Sequence, residues 1–250
     1  MNKVFIGIGT FVLIILFIVL FSFISAKNEP PPQLIANFVD LDNIIKISKY
    51  RSCVGHVTVP QGERETKRSM KHYFWVKPEL VGTDLVKIYS PYDGYVSDVR
   101  SSPQENLEGE IWIIPKRVLP ILPPIGVWQF SVQHIIVRED FRRGGEVKAG
   151  EVIGYAAIPT KERASFDIVY AKQAFVPKMI DNWNSPFADL DSVFNHMTDN
   201  VFAMYQKRGI AVKEDILISE EARNSNLCQY QGEGPYFENQ ETPENWVVLK

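Results

Sequence analysis

The chain has 250 residues, 45% of them hydrophobic, enough for one well-buried domain with a smaller appendage. Its formal net charge of −3 supplies no broad positive field, so nucleic acid is excluded as an electrostatic partner. The first element in chain order is an uncharged run at 4–24, rich in Ile, Leu, Val and Phe. As a helix it would be about 30 Å long, one hydrocarbon core. It is longer than the ~7–15 apolar residues usual in a cleaved signal. The only acceptable cut follows Ala26, with a poorly suited Ile24 three positions back. The sequence therefore predicts an uncleaved signal-anchor over residues 1–26. Lys3 precedes the run and stays cytoplasmic by positive-inside logic, which places the rest of the chain outside the cell membrane.

Residues 27–34 form a linker stiffened by Pro30, Pro31 and Pro32. The folded part is expected to begin at Ile35. Residues 35–50 have an ambiguous period, and 51–72 read as long polar loops around Cys53, Gly55, His56 and His72. From 73 to 170 the signals are those of strands. Runs at 73–76, 85–89, 95–99, 110–114, 127–137, 152–157 and 166–170 are β-branched or aromatic and are bounded by Gly, Pro or Asp. The proline-rich stretch 115–124 reads as an irregular connection. An all-β barrel or sandwich follows, taken as a β-barrel domain over 35–180.

The last part, 181–250, reads as a helical extension docked on that barrel. Ser185 and Pro186 suit a helix start. Phe187, Leu190, Phe194, Met197, Val201 and Tyr205 recur at helical spacing, and Gly209 is a stop, so an amphipathic helix is predicted over 186–208 with His196 on its solvated flank. Ser219 opens a short second helix and 245–249 forms a last strand. Cys53 and Cys228 are the only cysteines. Outside the cell they pair as one disulfide, closing a loop of about 175 residues worth ~5 kcal/mol in the chain-entropy model; two buried thiols are the alternative.

One set of motifs carries a resemblance. Ser90-Pro91-Tyr92-Asp93-Gly94-Tyr95-Val96 is followed by His134, then by Glu146-Val147-Lys148-Ala149-Gly150-Glu151-Val152-Ile153-Gly154, then by Ser165-Phe166-Asp167-Ile168. Over about 70–170 this resembles the frame of lysostaphin-type zinc endopeptidases, whose fold is the duplicated hybrid motif, a barrel-sandwich-like barrel. The resemblance implies a zinc held by a His-x-x-x-Asp motif and the last His of a His-x-His. His72 falls at the first ligand, but Val76 stands at the Asp. Arg163 and Ser165 stand where the two histidines of His-x-His belong, and His134 matches an assisting histidine. A catalytic zinc needs three protein ligands and one open position, so the family's hydrolytic site reads as dismantled while the glycine frame persists. Ser52–His56 and Arg68–Tyr73 are also similar to segments of membrane-anchored archaeal proteins, a resemblance that implies no activity.

Two readings compete. In the first, the chain is a non-catalytic binding or scaffolding module that holds an envelope protein or a glycan, with Trp75, Trp112, Trp128 and Tyr92 either stacking on that ligand or packing the core. In the second, His56, His72 and His134 converge on a zinc, with Asp167, Glu63 or Glu65 adding an oxygen. No other cofactor is expected. Met70-Lys71 resembles the biotinylated Met-Lys of carrier domains, but it lies 20 residues before Pro91, too far for a tight hairpin.

Overall fold

The computed structural model describes residues 28–62, 65–83, 85–100, 109–118 and 124–250, and of Arg163 only the backbone. The apolar run at 4–24 lies outside the described residues. Among those described, no helix is long and apolar enough to cross a membrane.

The protein is mainly β. In chain order the strands are β1 (Ile44–Ser48), β2 (His72–Val76), β3 (Lys87–Tyr89), β4 (Gly94–Arg100), β5 (Gly109–Pro115), β6 (Trp128–Val137), β7 (Glu146–Val147), β8 (Val152–Ala156), β9 (Ser165–Ile180), β10 (Trp183–Asp191) and β11 (Trp246–Val248). All the predicted strand runs lie on these elements. They form one antiparallel sheet of order β11-β1-β2-β9-β6-β5-β4-β7. β10 continues along the edge of β9 beyond β2, and β8 continues along β6 beyond β9, with β3 outside it.

The predicted barrel is corrected here to an open sheet. Closure needs the two end strands to pair, and among the described strands β11 and β7 do not. The long strands β6 and β9 instead change neighbours along their length, so the sheet branches rather than rolling shut.

Alternation sorts the side chains between two cores. Phe74 and Val76 of β2, Phe130 and Val132 of β6, and Phe166 and Ile168 of β9 face one core together with Leu34, Phe38, Ile88 and Ile153. Val169 and Ala171 of β9, from the opposite face, join Tyr50, Val57, Val59, Met70 and Phe237 in a second. Loop 51–70 is thus an organised cover, pinned by bridges Ser52↔Ser69 and Thr58↔Ser69. Full burial of each such aliphatic or aromatic side chain stabilises by about 1.5–3 kcal/mol.

The two glycine motifs meet. Gly150 N–H donates to Ser90 O at 2.8 Å, and Ala149 N–H to Asp93 Oδ1 at 2.9 Å. At Gly94 an added Cβ would stand 2.3 Å from Ile114 O, and at Gly154 2.5 Å from Ile136 O, so both glycines admit a neighbouring backbone that no side chain would allow.

The helix predicted over 186–208 is replaced by three shorter pieces. Its first part is strand β10, followed by a 3₁₀ turn (Val193–His196) and then helix α1 (Asp199–Gln206). Ser185 is no cap: its hydroxyl donates to Val59 O at 2.6 Å. Pro186 sits at a register shift of β10, where no ladder N–H is required. The end is as predicted: Gly209, at φ +100°, follows the helix. His196 is also corrected. It is half-buried, with Nε2 2.8 Å from Asp191 Oδ2 and its ring 4.8 Å from Tyr170. Helix α2 (Glu220–Ser225) is capped by Ser219, whose Oγ accepts from Ala222 N–H at 3.1 Å. Cys53 and Cys228 form the disulfide, tying this tail to loop 51–70.

Candidate functional site

A polar row crosses the outer face of the sheet. Tyr73 of β2 stands opposite Asp167 of β9, Asp167 opposite Gln133 of β6, Gln133 opposite Glu110 of β5, and Glu110 opposite Arg100 of β4. Alternation places all five on one side, since their chain neighbours Phe74, Phe166 and Val132 face the first core. Lys71, two residues before Tyr73, reaches into the same row.

His134 joins it through a bulge. The β5–β6 register shifts between Gly109↔Ile135 and Glu110↔Gln133, leaving His134 as the extra residue at φ +61°. Without the bulge His134 would point into the core; with it, Gln133 and His134 both face outward while Val132 and Ile135 stay inside. Histidine is among the residues enriched in this left-handed region.

At the centre is a buried ion pair. Lys71 Nζ lies 2.9 Å from Asp167 Oδ2 and 3.1 Å from Gln133 Oε1. His134 Nε2 lies 3.6 Å from the same Asp167 oxygen. Gln133 Nε2 donates onward to Glu110 Oε2 at 3.0 Å. Lys71 Nζ also lies 5.3 Å from the centre of the Tyr73 ring. Burial opposes charge on both Lys71 and Asp167, but each partner outweighs it: the lysine pKa is raised and the carboxyl is held below its usual range, with His134 adding to the latter. Burial pushes the Tyr73 phenol up to about 12. Asp167 Oδ1 is buried with no hydrogen-bond partner among the described residues.

Beside this row, and meeting it at Tyr73 and His134, is a cleft of about 310 Å³ that Lys71, Asp167 and Gln133 do not line. Tyr73, Trp75, Tyr236 and Trp246 supply aromatic walls, and His56, His134, Ser165, Glu162, Gln240 and Glu241 supply polar groups. Trp75 and Trp246 meet edge to face at 5.9 Å, with Lys46 Nζ over both rings. Gly55 is required here. It holds φ +71°, and a Cβ would fall 1.9 Å from the Tyr73 hydroxyl.

Of the three histidines read as zinc ligands, His56 and His134 line this cleft and His72 does not. His72 points to the opposite face of β2. Its Nδ1 donates to Ser48 O at 2.8 Å and its Nε2 accepts from Ser192 Oγ at 2.7 Å, so both nitrogens are used. Burial lowers its pKa to about 4. His56 Nδ1 donates to Val57 O at 2.8 Å, and its ring stacks on Trp183 at 4.5 Å. Burial, then the charge of Lys71, lowers its pKa to about 4 as well. Val76 is buried in the first core, Ser165 lines the cleft, and Arg163 lies just before β9. Glu65 is held by Arg51 and Arg68 at 2.6 and 2.7 Å, away from the cleft, and Glu63 lies outside the described residues. Among the described residues no group of three His, Cys, Asp or Glu is gathered to hold a metal.

The donor set therefore does not fit the zinc that the resemblance implies. The buried Asp167 carboxylate already has a cation, the Lys71 ammonium. Of the four aromatic candidates, Trp112, Trp128 and Tyr92 are buried and Trp75 alone lines the cleft. Tyr73 and Gln133 join the site unforeseen, and Lys71 enters it as an ion-pair partner rather than as a carrier lysine. Their signal was alternation: Lys71, Tyr73 and Trp75 share one face of a single strand run.

No family model matches the chain, and no curated protein matches it. Among solved structures it is similar to Helicobacter pylori Csd3 in an orthorhombic crystal, at a TM-score of 0.34 and 13% identity. The match covers 56% of this chain and 32% of that one, so it spans about a third of that protein's length. So slight a likeness places the chain in no family.

Proposed function

We propose that the chain is a non-hydrolytic binding module, displayed outside the cell by residues 4–24, whose cleft takes a carbohydrate. The observation that carries this is the cleft itself. Four aromatic rings stand beside two carboxylates, an amide and a hydroxyl, and the buried carboxylate behind them, Asp167, is neutralised by Lys71. Sugars offer apolar C–H faces to aromatic rings and hydroxyl edges to planar acceptors, and few but well-placed polar groups fix orientation in a mostly apolar pocket. The Lys71–Asp167 pair removes both a metal ligand and a free general base, so the site is built for holding rather than cutting.

The test is titration of the full chain in detergent with N-acetylglucosamine and mannose oligosaccharides, read by tryptophan fluorescence and calorimetry. Binding lost in the Trp75→Ala variant supports the reading. No binding by either series, together with chelator-sensitive cleavage of a peptide substrate, overturns it.

A further inference from the structure

The β9–β10 hairpin carries, short of its turn at 181–182, an exposed apolar bulge (the apex of the break in pairing) that the cleft does not use. Phe175, Val176 and Met179 are 81%, 62% and 62% exposed. They owe this to a break in register: Ser185 pairs with Lys178, but Phe187 pairs with Gln173. Five positions on β9 thus oppose two on β10, and residues 174–177 are thrown outward. The apex is tied down rather than loose. Val176 O accepts from Gln61 Nε2 at 2.8 Å, and Pro177 has no N–H to satisfy. Three large apolar side chains are thereby exposed within five residues on an anchored backbone, where a monomeric soluble surface scatters them singly.

The position of the apex names its partner. Trp128 pairs with Lys172, and Gly126 N–H donates to Gln173 O at 2.9 Å, so the apex leaves the sheet at the end where β6 begins and β5 finishes. The described chain starts at that same end. Pro32 O accepts from the Tyr170 hydroxyl at 2.9 Å, and Glu29 pairs with Arg117, two residues past β5, at 2.6 Å. From Pro32 back to Asn28 is four residues, at most about 14 Å of chain, and from Tyr170 to Phe175 is five, at most about 18 Å. The run at 4–24 ends just before Asn28. A bilayer holding that run therefore faces the apex.

We propose that residues 174–179 are a second membrane contact, setting Phe175, Val176 and Met179 into the lipid surface of the bilayer that residues 4–24 span. This rests on the anchor proposed above. The contact fixes the sheet's tilt relative to the bilayer plane. Burial of apolar side chains at the headgroup–acyl boundary supplies the attraction, as it does for interfacial segments generally.

The experiment uses the full chain reconstituted in phosphatidylcholine vesicles that contain a lipid with a diazirine on its acyl chain. Photolysis and peptide mapping locate the labelled residues. Label at both 4–24 and 174–179 is expected. The Phe175→Ser/Val176→Ser/Met179→Ser variant is expected to lose the second label and keep the first. Label at 4–24 alone overturns the contact and leaves the anchor standing. Label at neither removes the anchor and the contact with it. Label at 174–179 alone removes the anchor and overturns the contact as a second one.

Discussion

Lys71 and Asp167 are both buried, and each is tolerable there only because of the other. An ammonium or a carboxylate left alone in such a place costs several kcal/mol. Lys71→Met strands Asp167 and is expected to destabilise the protein by about 3–5 kcal/mol. The Lys71→Met/Asp167→Leu double variant is expected to lose far less than the two single losses combined. Urea unfolding of the four proteins measures this coupling, and strict additivity would show that the two charges do not depend on each other. His72 sets a second expectation. Its folded pKa of about 4 lies below the 6.5 of the unfolded chain, because burial keeps the ring neutral. Between those values the unfolded state takes up a proton that the folded state refuses. Stability is therefore unaffected by this group above pH 6.5 and falls as pH drops toward 4, by at most about 1.4 kcal/mol per pH unit. His56 acts in the same window, and Asp167 in the same direction at still lower pH. His72→Gln is expected to flatten part of the slope between pH 6.5 and 4; an unchanged slope would mean that His72 is not held neutral.

At the scale of elements, the strands were legible and the tail was not. Runs such as 73–76 and 152–157 are β-branched or aromatic and bounded by turn residues, and those local preferences agree with the fold. Residues 186–208 conflict with it. Their apolar spacing fits a helix, but Phe187 and Leu190 pack against the second core from strand β10, whereas Val201 and Tyr205 pack into the first core from α1. Two different cores produced one apparent period. The His134 bulge was equally hidden, because a register shift is set by the partner strand rather than by the strand's own sequence. The cysteines were legible as a pair, and what surrounds them was not: Arg223 donates to Arg51 O at 2.7 Å and to Cys53 Sγ at 3.0 Å, so the tail and loop 51–70 meet through a buried guanidinium as well as the bridge. Cys53→Ser/Cys228→Ser is expected to cost about 2–5 kcal/mol, because the loop it opens spans most of the folded chain. Thermal unfolding with and without reductant checks this; an unchanged midpoint would show that the tail is held by Arg223 and packing alone.

For the whole molecule, Gly94, Gly150 and Gly154 let the two turn motifs and their neighbouring strands dock, and one face of the same sheet carries a lysine–aspartate pair, a bulged histidine and an aromatic cleft. The histidines that sequence spacing offered as a ligand set are divided between opposite faces of the sheet. The most direct measurement is calorimetric titration of the chelator-treated full chain with zinc at pH 7. No stoichiometric binding is predicted, in the wild type and in His72→Gln alike. One tight equivalent, lost in His134→Ala, would contradict the assignment of Lys71 as the cation of this site.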